Sequence, residues 1–184
     1  TMQTAIGQGN TLVSPLHMCM IAGAICNDGN LMRPYLVDHT ENAAGAIVEQ
    51  NKPASYKQIM SKDQAAFLQN LMAAVVSDGT GAKLSNQSYE AFGKTGTVQV
   101  SDSTDQTNAW FVGYGKKDGY NDLAIAVVVE DSCAGSTYAV PVSKKVFDTY
   151  FNEYACCTFF RSRLYLSVMT DVIVHISLEL TDSV

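Results

Sequence analysis

Three segments in immediate succession, FGKTGTVQV, NAWFVGYG and DLAIAVVVE (residues 92–100, 108–115 and 122–130), restrict the fold more than any other part of the chain. Each is rich in β-branched and aromatic residues, and polar loops of hairpin length separate them, so they read as neighbouring antiparallel strands. Helices surround this meander. Ser14-Pro15 caps and opens one, with Leu16, Met20, Ala24 and Ile25 at helical spacing until Asn27-Asp28-Gly29 stops it. Ser61 caps a second, with Asp63 and Gln64 in its first turn, Phe67, Leu68, Leu71, Met72 and Val75 along one side, and Gly79 at its end. VPVSKKVFDTYFNEY closes the series as a third. LMRPYLV and GAIVEQ, with a polar stretch between them, read as two short strands. The expected fold class is α+β, an antiparallel sheet flanked by helices on both faces. At 184 residues, 47% hydrophobic and 16% charged, the chain has the size of one globular domain or a large piece of one.

Within the first strand, Gly93 and Gly96 bracket a lysine and a threonine, and Thr97 follows. A strand glycine costs stability unless something approaches the backbone there. The spacing suits a ligand lying antiparallel along an exposed edge and taking main-chain hydrogen bonds as an added strand would. Thr95 and Thr97 share one face and can donate to a carboxylate, while Lys94 supplies a positive field. Strict alternation puts Lys94 on the opposite face, so its ammonium must emerge under the sheet edge, toward a neighbouring helical region. A Lys-Thr-Gly triplet arises by chance in roughly 4% of chains this long. Alone it says little.

A formal net charge of −6 leaves no basic stripe for a phosphate backbone, so nucleic acid is a poor partner. No apolar run reaches the ~18 residues of a membrane-spanning helix. The five cysteines (Cys19, Cys26, Cys133, Cys156, Cys157) form no CxxC pair and read as free, largely structural thiols. No metal is expected. His17 has no second ligand at a facing helical position, and SDSTDQTN (101–108) lacks the Gly-centred spacing of a calcium loop, so it reads as a solvated hairpin loop. Gly7-Gln8-Gly9 reads as a tight turn, Trp110 as strand packing and Lys116-Lys117 as a solvated turn.

The segment AIGQGNTLVSPLHMCMIAGAICNDGNLMRPYLV (residues 5–37), followed by GKTGTVQV and NAWFVGY in that order, resembles the transpeptidase domain of penicillin-binding proteins, most closely the monofunctional, class B-like group. The likeness runs over residues 3–154, about five sixths of the chain. It implies a transpeptidase-like fold, incomplete on its N-terminal side, and no cofactor. By resemblance, Lys94 is the active-site lysine of the Lys-Thr-Gly strand, Thr95 and Thr97 hold the substrate or β-lactam carboxylate, and Gly96 lets the acyl group pass. The backbone N–H of Thr97 is half of an oxyanion hole. The implied chemistry is D,D-transpeptidation by an acyl-serine on D-Ala-D-Ala stem peptides, inhibited by β-lactams, outside the cytoplasmic membrane. Implied partners are peptidoglycan stem peptides, β-lactam antibiotics, the upstream half of the same domain and other cell-wall synthesis proteins. A β-lactam receptor's sensor domain, or a serine β-lactamase relative, would share the same strand.

One departure is plain. No serine here is followed by lysine three residues on, and none begins a Ser-x-Asn triad. Both motifs normally precede the Gly-Gln-Gly turn, so the nucleophile is expected upstream of Thr1, and this chain by itself should not acylate. Residues 155–184 match nothing in the family. Leu164, Leu166 and Val168, then Val174, Ile176, Leu178 and Leu180, alternate with polar residues, as in two strands turning near Thr170-Asp171. Two readings stay open: a hairpin added to a sheet edge, or a non-native extension from a shifted reading frame.

Overall fold

The computed structural model describes residues 11–100, 106–153 and 172–178. Its centre is a four-stranded antiparallel sheet in the order β5-β6-β7-β8, formed by Glu90–Gln99, Thr107–Lys116, Leu123–Val129 and Val172–Leu178. β5 and β6 pair without a bulge from Glu90↔Lys116 to Gln99↔Thr107. The meander read from the sequence is therefore present, and its strands alternate side chains between two separate cores.

One core lies under the helix α3 (Ala139–Asp148) and gathers Ala91, Ala109, Phe111, Leu123, Ile125, Val127 and Phe147. The other lies under α1 (Pro15–Cys26) and gathers Cys19, Ile25, Cys26, Tyr114, Ala124 and Ala126, with Phe92 and Val112 packed against it. Helices thus cover both faces, as the α+β reading requires. Each wholly buried large side chain, such as Phe111, contributes about 2 kcal/mol by leaving water.

α1 starts where Ser14 accepts a hydrogen bond from the His17 N–H (3.2 Å) and Pro15 takes the first turn. Its buried surface differs from the expected stripe. Leu16 is exposed, and Cys19, Ala22, Gly23, Ala24, Ile25 and Cys26 bury the C-terminal half almost all round. Small residues on the helix and alanines on β7 permit the close approach. Cys19 and Cys26 are free and buried, and Cys133 is free and exposed. Cys156 and Cys157 lie outside the described residues, as do Gly7-Gln8-Gly9, most of the 101–108 loop and the first half of the expected tail hairpin.

α2 (Lys62–Ser77) opens with a reciprocal capping box between Ser61 and Gln64. Its inner side is Ala65, Leu68, Met72 and Val76, while Phe67 and Leu71 face solvent. The periodicity was right and the face was rotated by about one residue, because α2 packs against the edge strand β5 and not flat on the sheet. Leu68 and Met72 join the α1-side core and Val76 joins the α3-side core, so the helix passes from one face to the other beside β5.

Between α1 and α2 the chain makes two small antiparallel ribbons, β1 with β4 (Asn30–Met32, Ser55–Gln58) and β2 with β3 (His39–Glu41, Ile47–Gln50). GAIVEQ contains a strand as expected, but LMRPYLV supplies only its first residues, and its ribbon partner β4 went unread. The Lys116-Lys117 pair is not a solvated turn. Lys116 ends β6 in an ion pair with Asp122 (3.4 Å), and the Lys117 Nζ donates to the Phe151 carbonyl (2.6 Å), pinning the turn after α3. Among the described residues no helix is long and apolar enough to cross a membrane.

Candidate active-site rim

β5 is a strand at the edge of its sheet: β6 pairs one side, and no described strand pairs the other. Lys94 is exposed on the α1/α2 face, in register with Val112, and its Nζ donates to the main-chain carbonyl of Thr95 at 2.7 Å. An ammonium cannot sit between two paired strands, so the Thr95 carbonyl points to the outer edge. In an extended strand the N–H and C=O of residues two apart point the same way. The N–H of Thr97 is therefore directed outward too, away from β6.

The two glycines of this strand have different causes. A Cβ on Gly93 would lie 2.3 Å from Cζ of Phe111, so Gly93 is bare because a neighbouring ring folds beneath it. The sequence-based expectation that both glycines clear the way for a ligand is corrected at that position. At Gly96 an added Cβ would meet only the Trp110 Cβ, at 3.4 Å, an ordinary contact. Nothing among the described residues demands glycine on that face of Gly96.

Thr95 is nearly buried and Thr97 is exposed. The Thr95 hydroxyl is not in apolar surroundings. It shares a 2.5 Å hydrogen bond with the hydroxyl of Thr80, a residue the motif reading missed. Thr80 arrives there because α2 is capped at Asp78 and the chain folds back tightly, with the Gly81 N–H donating to the Val75 carbonyl (2.9 Å). The signal in the sequence was the Gly79-Thr80-Gly81 triplet at the end of the best helix, set close enough to curl onto the edge strand. Trp110 is half-buried opposite Gly96.

A second cluster of titratable groups lies on the α1 side. The Cys26 thiol donates to Asp122 (3.3 Å), which also pairs with Lys116. Burial first, then the Asp122 charge, pushes the thiol far above its ordinary range, so it stays protonated and unreactive. The Tyr114 hydroxyl beside it is buried without a hydrogen-bond partner among the described residues. This cluster is separate from the rim and carries no nucleophile.

The edge of β5 thus presents a cation, a paired hydroxyl set, a bare glycine and an outward N–H in consecutive positions. The family described as penicillin binding protein transpeptidase domain matches residues 1–149, and the chain belongs to it. The chain is 29% identical over 174 residues to the peptidoglycan D,D-transpeptidase MrdA of Haemophilus influenzae, a match over 83% of this chain and 26% of the relative. It is 31% identical over 157 residues to the peptidoglycan D,D-transpeptidase PbpA of Mycolicibacterium smegmatis, over 82% of this chain and 32% of that one. Among solved structures, the imipenem acyl-enzyme complex of penicillin-binding protein A from M. tuberculosis superposes with a TM-score of 0.69 at 26% identity, covering 82% of this chain and 34% of the other. The D,D-transpeptidase domain of a peptidoglycan glycosyltransferase from Eggerthella lenta gives 0.64 at 32% identity, over 74% and 32%. The chain spans about a quarter to a third of the curated relatives cited.

Proposed function

We propose that this chain forms the substrate-binding wall of a peptidoglycan D,D-transpeptidase, with residues 1–154 as the C-terminal part of its transpeptidase domain. The observation that carries the reading is the open edge of β5, where the Lys94 ammonium, the Thr80–Thr95 hydroxyl pair and the outward N–H of Thr97 fall within four residues of strand. In this reading a D-alanyl carboxylate, or the carboxylate of a β-lactam, is held by Thr95 and Thr97 under the field of Lys94. The acyl carbonyl lies over Gly96. The Thr97 N–H donates to the oxygen that becomes negative as the tetrahedral intermediate forms, an interaction commonly worth about 3 kcal/mol per donor. The attacking serine comes from elsewhere in the parent protein, since no Ser-x-x-Lys occurs in this chain. The reaction would take place on the outer side of the cytoplasmic membrane, where stem peptides are cross-linked.

The test uses a fluorescent penicillin. The 184-residue chain should bind without forming a covalent adduct, and the parent protein should be labelled at a single serine outside this chain. A stoichiometric adduct on a residue of this chain would overturn the assignment of roles.

A further inference from the structure

The loop between β7 and α3 (residues 130–138) presses on the back of the rim, and it does so through one glycine. A Cβ on Gly135 would lie 2.5 Å from the Trp110 carbonyl oxygen, 2.8 Å from that of Gly96 and 3.2 Å from the Gly96 nitrogen. Gly96 and Trp110 are register partners on β5 and β6. Gly135 therefore lies in main-chain contact with the strand pair one residue before Thr97. The loop is held firmly in that position. The Ser132 N–H donates to the Thr107 carbonyl (2.8 Å), the Thr107 hydroxyl returns a bond to the Ser132 carbonyl (2.6 Å), and the Ser132 hydroxyl donates to the Val129 carbonyl (2.7 Å). On its other side the Gly135 carbonyl accepts from the Val140 N–H (2.9 Å) in the first turn of α3. β5, by contrast, is paired by a described strand on one side only. Between an anchored loop and an edge strand, the edge strand is the part that yields.

We infer that Gly135 is a positioning residue for the rim: the loop is a backstop that fixes the height of β5 at Gly96 and so the aim of the Thr97 N–H. The inference rests on the proposed role of that N–H, but its structural half stands without it. Bringing a new methyl group from 2.8 Å off the Gly96 carbonyl oxygen to ordinary contact at 3.4 Å moves β5 by about 0.6 Å. That exceeds the ~0.5 Å within which a preorganised donor has to be held.

The test compares the full chain with Gly135→Ala by two-dimensional amide NMR, first alone and then with millimolar benzylpenicillin. Alone, the variant should melt cooperatively and show its largest amide shifts at Gly96, Thr97 and Trp110, with those of β7 little moved. With benzylpenicillin, the shift changes at Thr97 should be at least threefold weaker than in the unmodified chain. Thr137→Ala, in the same loop but exposed, should change neither. If Gly135→Ala does not fold, Ser132→Ala loosens the anchor without adding bulk and should still broaden or shift Thr97. Unmoved Gly96 and Thr97 amides in the folded variant would overturn the backstop. Should the unmodified chain show no response to benzylpenicillin, the functional reading fails while the ligand-free shifts still decide the backstop.

Discussion

The two outer strands of the three-strand meander meet opposite fates. β7 is buried from Leu123 through Val128, has no charged or hydroxyl side chain, and is paired on its far side by β8, from Leu123↔Leu178 to Val129↔Val172. β5 alternates buried and exposed positions, carries Lys94, Thr95 and Thr97, and has no described strand on its far side. An unpaired strand edge is a standing invitation to aggregate. A run that is apolar on both faces has to be closed by further chain, whereas an edge that stays open needs polar side chains, close-set glycines and its own hydrogen-bond partners.

The comparison breaks most severely if β8 is removed. Deleting residues 155–184 should expose the β7 edge and cost on the order of 3 kcal/mol in lost ladder bonds alone. Hydrogen exchange at residues 124–128 should accelerate by orders of magnitude, and size-exclusion chromatography should show association. Full protection of those amides in the truncated chain would mean that β8 is not what closes the sheet, and would favour a tail that contributes nothing to the domain.

Next in size is the contrast between the two glycines. Gly93→Ala drives a methyl group into Phe111 and should destabilise by about 1–3 kcal/mol, read as a lower urea midpoint. Gly96→Ala meets only the Trp110 Cβ at 3.4 Å, and a strand favours alanine over glycine by roughly 0.5 kcal/mol. Its midpoint should hold or rise, while the benzylpenicillin response at Thr97 falls. Equal losses of stability in both variants would show that Gly96, too, is bare only for packing.

Much of this was legible from the residues because local rules and global packing agreed there. The capped starts of α1 and α2, the three-strand meander and the helices on both faces follow from turn chemistry and alternation, and the order of motifs pointed to the family. What failed was anything decided by a residue distant in the sequence. The buried face of α2 depends on its lying beside an edge strand, so Phe67 and Leu71 turned outward although their spacing fits a core stripe. Gly93 answers to Phe111 across the ladder. Thr80 went unread because its flanking glycines mark a fold-back without saying which residue the hydroxyl will meet, here one fifteen residues on.

Thr80→Val gives a smaller and more specific effect. Removing one member of the Thr80–Thr95 pair leaves a nearly buried hydroxyl without that partner, at a cost of about 1 kcal/mol, and Thr80→Ser should restore it. In the core under α1 the opposite holds. Tyr114→Phe deletes a buried hydroxyl that lacks a partner among the described residues, and should leave the midpoint within about 0.5 kcal/mol or raise it. A loss of stability in both would mean that polar groups are used alike on the two sides of the sheet.

The smallest effect belongs to a third kind of edge. The β2–β3 ribbon is exposed along β3, and among the described residues neither an apolar face nor a further strand closes it. The cross-tie at its end is Asn51, whose N–H donates to the Asp38 carbonyl (2.7 Å), and β2 itself is clipped by His39, whose ring nitrogens meet Asp38 (2.8 Å) and Glu41 (2.9 Å). Hydrogen bonds to Asp38 first, and then to Glu41, raise the His39 pKa above its ordinary value. A raised pKa means that the clip is fully present below pH ~6.5, where the unfolded chain also holds the proton, and is lost as pH climbs through the higher folded value. Amides of residues 39–41 and 47–50 should therefore exchange faster, relative to the intrinsic rate, once the pH passes that value, and the His39 ring resonance should titrate late. His39→Gln should remove the pH dependence and leave the exchange of β5 and β7 untouched, since the ribbon shares neither of their cores. If β5 and β7 respond along with the ribbon, the three edges are energetically one unit, and the separation of a closed, a used and a clipped edge does not hold.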